Sequence, residues 1–96
     1  MASSQILRNS PLHRNITSNT DLNDLTAEGI YGCGSGAVAE TLQNCPVLTN
    51  FVMIVISKNT AYTMVTQILT NAAWMYIRTQ SSAGWDSWYK YTGTKI

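Results

Sequence analysis

From Phe51 to Ile56 the chain runs Phe-Val-Met-Ile-Val-Ile without a polar break. A short β-branched run of this kind predicts a strand buried on both faces. Lys58-Asn59-Thr60 is a turn signal. Tyr62 to Thr70 then reads as a strand, with Tyr62, Met64 and Ile68 on one face and Val65 and Leu69 on the other. Asn71-Ala72 is the next turn. Ala73 to Thr79 follows as a strand, with Ala73, Met75 and Ile77 inward and Trp74, Tyr76 and Arg78 opposite. Gln80 to Gly84 is a polar loop, and Trp85 to Tyr91 is the last strand. Turns this short join antiparallel neighbours, so the second half predicts a three- or four-stranded meander.

The first half is less regular. Met1 to Asn19 is polar and lacks periodicity, and residues 1–16 are expected to form an arm or linker ahead of one domain over 17–96. Leu22 and Leu25, three apart, predict a helical turn capped by Asn19, Thr20 or Asp21 and ended by Gly29. Ile30 to Cys33 reads as a short first strand, Ala37 to Gln43 as weakly helical, and Asn44-Cys45-Pro46 as a turn. The expected fold is mainly all-β: a small antiparallel meander or sandwich-like module with one short helical turn.

Composition sharpens this picture. Ser, Thr and Asn supply 29 of the 96 residues, whereas charged residues make up only 11%, against about 25% in an ordinary soluble domain. Between Thr41 and Ile77 the only charged side chain is Lys58. Charge depletion of this kind suits a surface that meets other chains. One sheet in a chain of this size cannot cover two apolar faces, so a homo-oligomer is expected, most simply a trimer. Phe51, Met53, Val55 and Met64 are its expected interface residues. The net charge of +1 lacks the basic face a nucleic-acid binder needs. The longest apolar run is far below the ~20 residues of a membrane helix, and the opening residues carry no apolar signal segment.

Motifs for chemistry are weak. Gly32-Cys33-Gly34-Ser35-Gly36-Ala37 has GxGxxA spacing, but no acid lies between Glu40 and Asp86 to hold a ribose, and a meander follows. Ser87-Trp88-Tyr89-Lys90 matches SxxK, which needs a helix to bring Lys beside Ser. His13 stands in the polar arm with no acid or nucleophile near it, and the five carboxylates show no pairing pattern. Asn15-Ile16-Thr17 fits a glycosylation sequon, which means nothing without a secretory route. No catalytic residue, metal ligand or cofactor is expected. Cys33 and Cys45 read as free thiols in a reducing compartment, with a single disulfide as the alternative.

Six of the nine aromatic residues fall between positions 74 and 91. Core and cross-strand packing explains most of them. The sharper reading is a sugar-stacking surface, with Trp85, Asp86 and Gln80 as contacts. Trp85, beside the loop, is predicted to be the more exposed, and Trp88, mid-strand, to be structural. Strand alternation puts the two on opposite faces.

Three stretches resemble a known family. Thr20-Asp21-Leu22-Asn23-Asp24-Leu25-Thr26-Ala27-Glu28-Gly29-Ile30-Tyr31 is similar to the "D-L-N-x-L-T-x-x-G-x-Y" opening of pyocin-knob-like domains. Met75-Tyr76-Ile77-Arg78-Thr79 followed by Trp85-Asp86-Ser87-Trp88 resembles their "Y-x-R-x…W-x-x-W" close. Ala39-Glu40-Thr41-Leu42-Gln43-Asn44-Cys45-Pro46 is similar to the "A-x-T-L-x-N-C-P" middle of modules from phages and prophages of gut Firmicutes. The resemblance spans about residues 17–94. It implies a small β-rich module, commonly in a trimeric fibre, that projects from a virion. It also implies a non-enzymatic part in host-surface attachment or fibre trimerisation. The expected partners are further copies, other tail proteins and a host glycan or protein. The expected place is the phage tail, assembled in host cytoplasm and acting outside the cell. The alternative is a prophage-encoded or bacterial cell-surface module with a protein partner.

Overall fold

The computed structural model describes residues 13–59 and 63–96. The turn at Thr60 and the expected strand start at Tyr62 lie outside the described residues, as does most of the expected polar arm. A single seven-stranded sheet organises the chain. Its strands are β1 (His13–Asn15), β2 (Gly29–Cys33), β3 (Phe51–Asn59), β4 (Thr63–Asn71), β5 (Trp74–Ser81), β6 (Gly84–Trp85) and β7 (Tyr89–Thr92). They follow in the order β1-β2-β3-β4-β5-β6, with β7 also on β5. The predicted meander is present from β3 onward, and all its pairs are antiparallel. The single parallel pair among the named strands is β1 with β2. His13–Asn15, expected in the arm, thus belong to the sheet, and Ile16 behind them is buried.

Register sets two faces. Tyr31, Met53 and Leu69 oppose one another across β2, β3 and β4, and each is at most 3% exposed. Phe51, Val55 and Val65 are buried on the same side. This inner face is covered by a layer without strands. A 3-10 turn, Leu22–Asp24, buries Leu22. A four-residue helix α1 (Gly36–Ala39) buries Ala39 and is capped by Ser35, whose hydroxyl accepts from the Val38 N–H. Val47 completes the core. The second layer is therefore turn, helix and loop, where a sandwich would place another sheet. The cap of the 3-10 turn is Asp21, one of the predicted candidates.

The outer face is bare. Ile30, Val52, Ile54, Ile56 and Met64 are 40% to 49% exposed, and from β2 through β5 no described side chain on this face is charged. Phe51, Met53 and Val55, expected at an oligomer interface, lie instead in the chain's own core. Of the four expected interface residues only Met64 is on the open side. Burial of β3 on both faces was expected, but the chain's own first half buries only one, and Val52, Ile54 and Ile56 stay open.

The β5 orientation is the reverse of the expected one. Arg78 pairs with Gln67 and Tyr76 with Leu69, so Trp74, Tyr76 and Arg78 share the core side. Met75 and Ile77 turn outward and are half-buried. A polar pair, Gln67 and Arg78, is buried where an apolar pair was expected.

Candidate functional site

Arg78 is the centre of the most elaborate side-chain cluster. Its Nε donates to Gln67 Oε1 at 2.8 Å. Gln67 Nε2 donates in turn to the carbonyls of Leu22 at 2.7 Å and Leu25 at 3.0 Å. A fully buried amide therefore ties β4 to the 3-10 turn, with the guanidinium on its other side. The Arg78 Cζ lies 4.1 Å from the ring centroid of Trp85 and 4.5 Å from that of Trp88. Planar guanidinium groups stack well on aromatic faces. Burial pulls the Arg78 pKa down to about 10, opposed by the negative charge of Asp21.

Both indoles are anchored. Trp85 Nε1 donates to the Asn23 carbonyl at 3.3 Å, and Trp88 Nε1 to the Asn44 carbonyl at 3.0 Å. Asp21 joins these two anchor points. Its Oδ1 accepts from the Asn44 side-chain amide at 2.8 Å and from the Asn23 N–H at 2.9 Å. These bonds hold the Asp21 carboxyl below the usual carboxylate range. Asn44 has a φ of 58°, a left-handed conformation that Asn tolerates better than most residues.

A bulge allows two tryptophans three residues apart to share a face. Trp85 opposes Gln80, and the Asp86 N–H donates to the Thr79 carbonyl at 3.0 Å. Tyr89 then opposes Ile77. Ser87 and Trp88 together thus face the single residue Arg78. One extra residue in one strand reverses the alternation beyond it. The expectation that Trp85 and Trp88 lie on opposite faces fails for this reason. The expected contrast in exposure fails too, since both are half-buried and both pack on the core.

The expected sugar contacts do not converge. Trp85 turns inward to Arg78, and Gln80, opposite Trp85, shares that inner side. Asp86, next in the strand, is exposed, and its Oδ1 accepts from the Ser87 N–H. An open cleft of about 350 Å³ does lie here, lined by Thr79, Ser81, Ala83, Gly84, Trp85 and Asp86, but Gln80 is not among its walls. The aromatic residues that remain open are Trp74, Tyr89 and Tyr91, 37%, 56% and 53% exposed.

The other sequence motifs serve structure. Gly32 to Ala37 ends β2 and starts α1. Ser87 and Lys90 belong to the bulge and to β7. Both cysteines are free thiols. Cys33 Sγ donates to the Ser35 carbonyl and Cys45 Sγ to the Val47 carbonyl, and burial pushes the Cys45 thiol up. Among the described residues no group of acids, histidines and cysteines could hold a metal ion.

Arg78 between Trp85 and Trp88 brings the opening and closing motifs of the sequence together in three dimensions, and solved structures share the fold over 81% of the chain. The N-truncated R2-type pyocin tail fibre matches with a TM-score of 0.69 and 17% identity, over 81% of this chain and 31% of the fibre chain. The C-terminal part of the P. aeruginosa R1 pyocin fibre matches with a TM-score of 0.72 and 19% identity, over 81% of this chain and 21% of that one. The corresponding part of the P. aeruginosa R2 fibre gives 0.69, 17%, 81% and 21%. The chain shares its fold with part of the R-type pyocin tail fibre. It spans under a third of the length of each of these fibre fragments. The opening and closing motifs, which resemble pyocin-knob-like domains, agree with this fold. No protein-family model matches the sequence, and no curated protein does either.

Proposed function

We propose that this chain is a non-enzymatic module of a phage tail or tail fibre that packs against copies of itself and serves attachment to the host surface. Its setting would be the virion, with other tail proteins and a host glycan or protein as partners. The observation that carries this reading is the bare outer face of a sheet whose fold is shared with pyocin fibres. Five apolar side chains on β2, β3 and β4 are 40% to 49% exposed with no charge among them. Extended uncharged apolar surface of this kind marks a contact between chains. The proposed interface residues are Ile30, Val52, Ile54, Ile56 and Met64; Phe51, Met53 and Val55 support them from beneath. Among the described residues no helix is long and apolar enough to cross a membrane.

Light scattering tests assembly. The expected mass is three times the 10.6 kDa of one chain. Ile54→Lys should give a folded monomer, because a long cation on this face faces water in the single chain and a desolvated interface in the assembly. A parent chain that is monomeric at micromolar concentration overturns the self-packing reading. Labelled protein should also bind intact host cells, and Ile54→Lys should weaken that binding by removing avidity.

A further inference from the structure

The outer face changes character toward β6. Ile56 opposes Thr66, and Thr66 opposes Thr79. The Asp86 N–H bonds the Thr79 carbonyl. Trp85, one residue earlier, turns its indole to Arg78 on the core side, so strand alternation turns Asp86 outward. One cross-strand row thus runs from an aliphatic side chain through two hydroxyls to a carboxylate. The open cleft of about 350 Å³ at Thr79, Ser81, Ala83, Gly84, Trp85 and Asp86 lies at the end of this row. Its volume is at the small end of ligand-binding clefts. Gly84 leaves the space: it opposes Ser81 without a side chain, and a Cβ there would meet nothing within 4 Å.

The polar groups are set by bonds of their own. Ser81 Oγ accepts from the Ala83 N–H at 3.2 Å, which leaves its O–H to donate. Asp86 Oδ1 accepts from the Ser87 N–H at 2.8 Å, which leaves Oδ2 to a ligand. Asp86 is exposed and has no ion pair among the described residues. No Lys or Arg lines the cleft. An anion would meet Asp86 with no cation to offset it. A metal ion would find a single carboxylate, and among the described residues no group of acids, histidines and cysteines could hold one. A neutral polyol fits, because adjacent hydroxyls can donate to the carboxylate while another oxygen accepts from Ser81.

We infer that this cleft binds one ring of a neutral sugar. Two neighbouring hydroxyls donate to Asp86 in charge-assisted hydrogen bonds, and Ser81 donates to a further oxygen. Tyr89 stands outside the cleft on the same face. It opposes Ile77, one outward position along β5 from Thr79, and is 56% exposed. The second ring of a longer sugar lies on it. The Trp85 indole and Gln80 stay on the core side and take no part. The inference deepens the attachment reading and rests on it for the setting in which such sugars are met.

The whole chain, labelled with 15N, is titrated at constant ionic strength with D-glucose, D-galactose, maltose, lactose and sodium D-glucuronate. The expected result is a saturable shift of the Gly84 and Ser87 amide signals with at least one neutral sugar, and about tenfold weaker binding of glucuronate. Asp86→Asn should weaken the neutral sugar about tenfold at an unchanged melting temperature, because the amide oxygen still accepts from the Ser87 N–H. A disaccharide should bind several-fold more tightly than its single ring, and Tyr89→Ala should remove that gain. Should Tyr89→Ala fail to fold, the ratio of disaccharide to single ring in the parent decides, and a ratio of one removes Tyr89 from the site. No shift with any neutral sugar, equal affinity for glucuronate, or unchanged binding by Asp86→Asn would overturn the site. A chain that assembles and binds cells yet ignores these sugars overturns the site and leaves the fibre reading standing. A chain that binds them but stays monomeric and ignores cells does the reverse.

Discussion

Trp88 faces the same side of the sheet as Trp85, although three residues separate them, because Ser87 shares its place opposite Arg78. Ser87 is the surplus residue. Its deletion leaves Trp85 and Trp88 two apart, in step with a regular strand, so both rings still meet Arg78. The Ser87 deletion should therefore fold, with both indole N–H groups protected from exchange. Insertion of one alanine after Ser87 should push Trp88 out of step and expose its N–H. Hydrogen exchange at the two indoles distinguishes these outcomes, and loss of folding in the deletion would refute the bulge as described.

Arg78 is held by shape as well as by charge, which makes lysine a poor substitute. An ammonium cannot lie flat between two rings and reach Gln67 Oε1 at once. Arg78→Lys should cost about 2–3 kcal/mol, from one charge-assisted hydrogen bond and two stacked contacts. Urea unfolding followed by tryptophan fluorescence measures it. A loss below about 0.5 kcal/mol, the range of an ordinary surface change, would show that the stack contributes little.

Gln67 is fully buried and uses both ends of its amide. Gln67→Leu fills the same space but leaves two carbonyls and the Arg78 Nε without their partner. Each unmet buried group costs about 1–3 kcal/mol, so this variant should be among the least stable that still fold. The comparison to make is with Leu69→Ala, an apolar deletion in the same strand with a cost of about 2–5 kcal/mol. Gln67→Leu should match it despite adding apolar surface.

Acid should loosen the layer over the sheet. The bonds from Asn44 and Asn23 lower the Asp21 pKa, so the folded state prefers the ionised carboxyl. The stability this contributes is present above the unfolded value of 3.8 and is lost as pH falls through the lower folded value. Asp21→Asn should flatten the decline in melting temperature over that acidic range. An identical decline in parent and variant would remove Asp21 as its source.

Several elements were legible because one physical cause dominated them. The Phe51–Ile56 run announced β3, and Leu22 with Asp21 announced a capped turn. Which side of β3 faces the core was not legible, since Phe51, Met53 and Val55 are no more apolar than Val52, Ile54 and Ile56. Arg78 misled through its charge: alternation sent it outward, whereas two tryptophans from the segment paired with its own strand make its burial favourable. β1 escaped notice because His13, Arg14 and Asn15 are exposed and pair on one side only. At the candidate site, Trp85 and Asp86 looked like partners because they are adjacent, and adjacency in a strand separates them.

The buried amide of Gln67 has a consequence for how the chain finds its pairing. β3 and β4 are apolar on both sides, so sliding β4 by one residue would exchange Val65 and Leu69 for Met64 and Ile68 at small hydrophobic cost. Hydrophobicity alone would leave the strand with two nearly equivalent settings. The slip would also carry Gln67 away from the Leu22 and Leu25 carbonyls and strand Arg78 without its acceptor. One polar side chain thus acts as a key that turns in a single position, and it makes the correct alignment of the sheet depend on the turn that covers it.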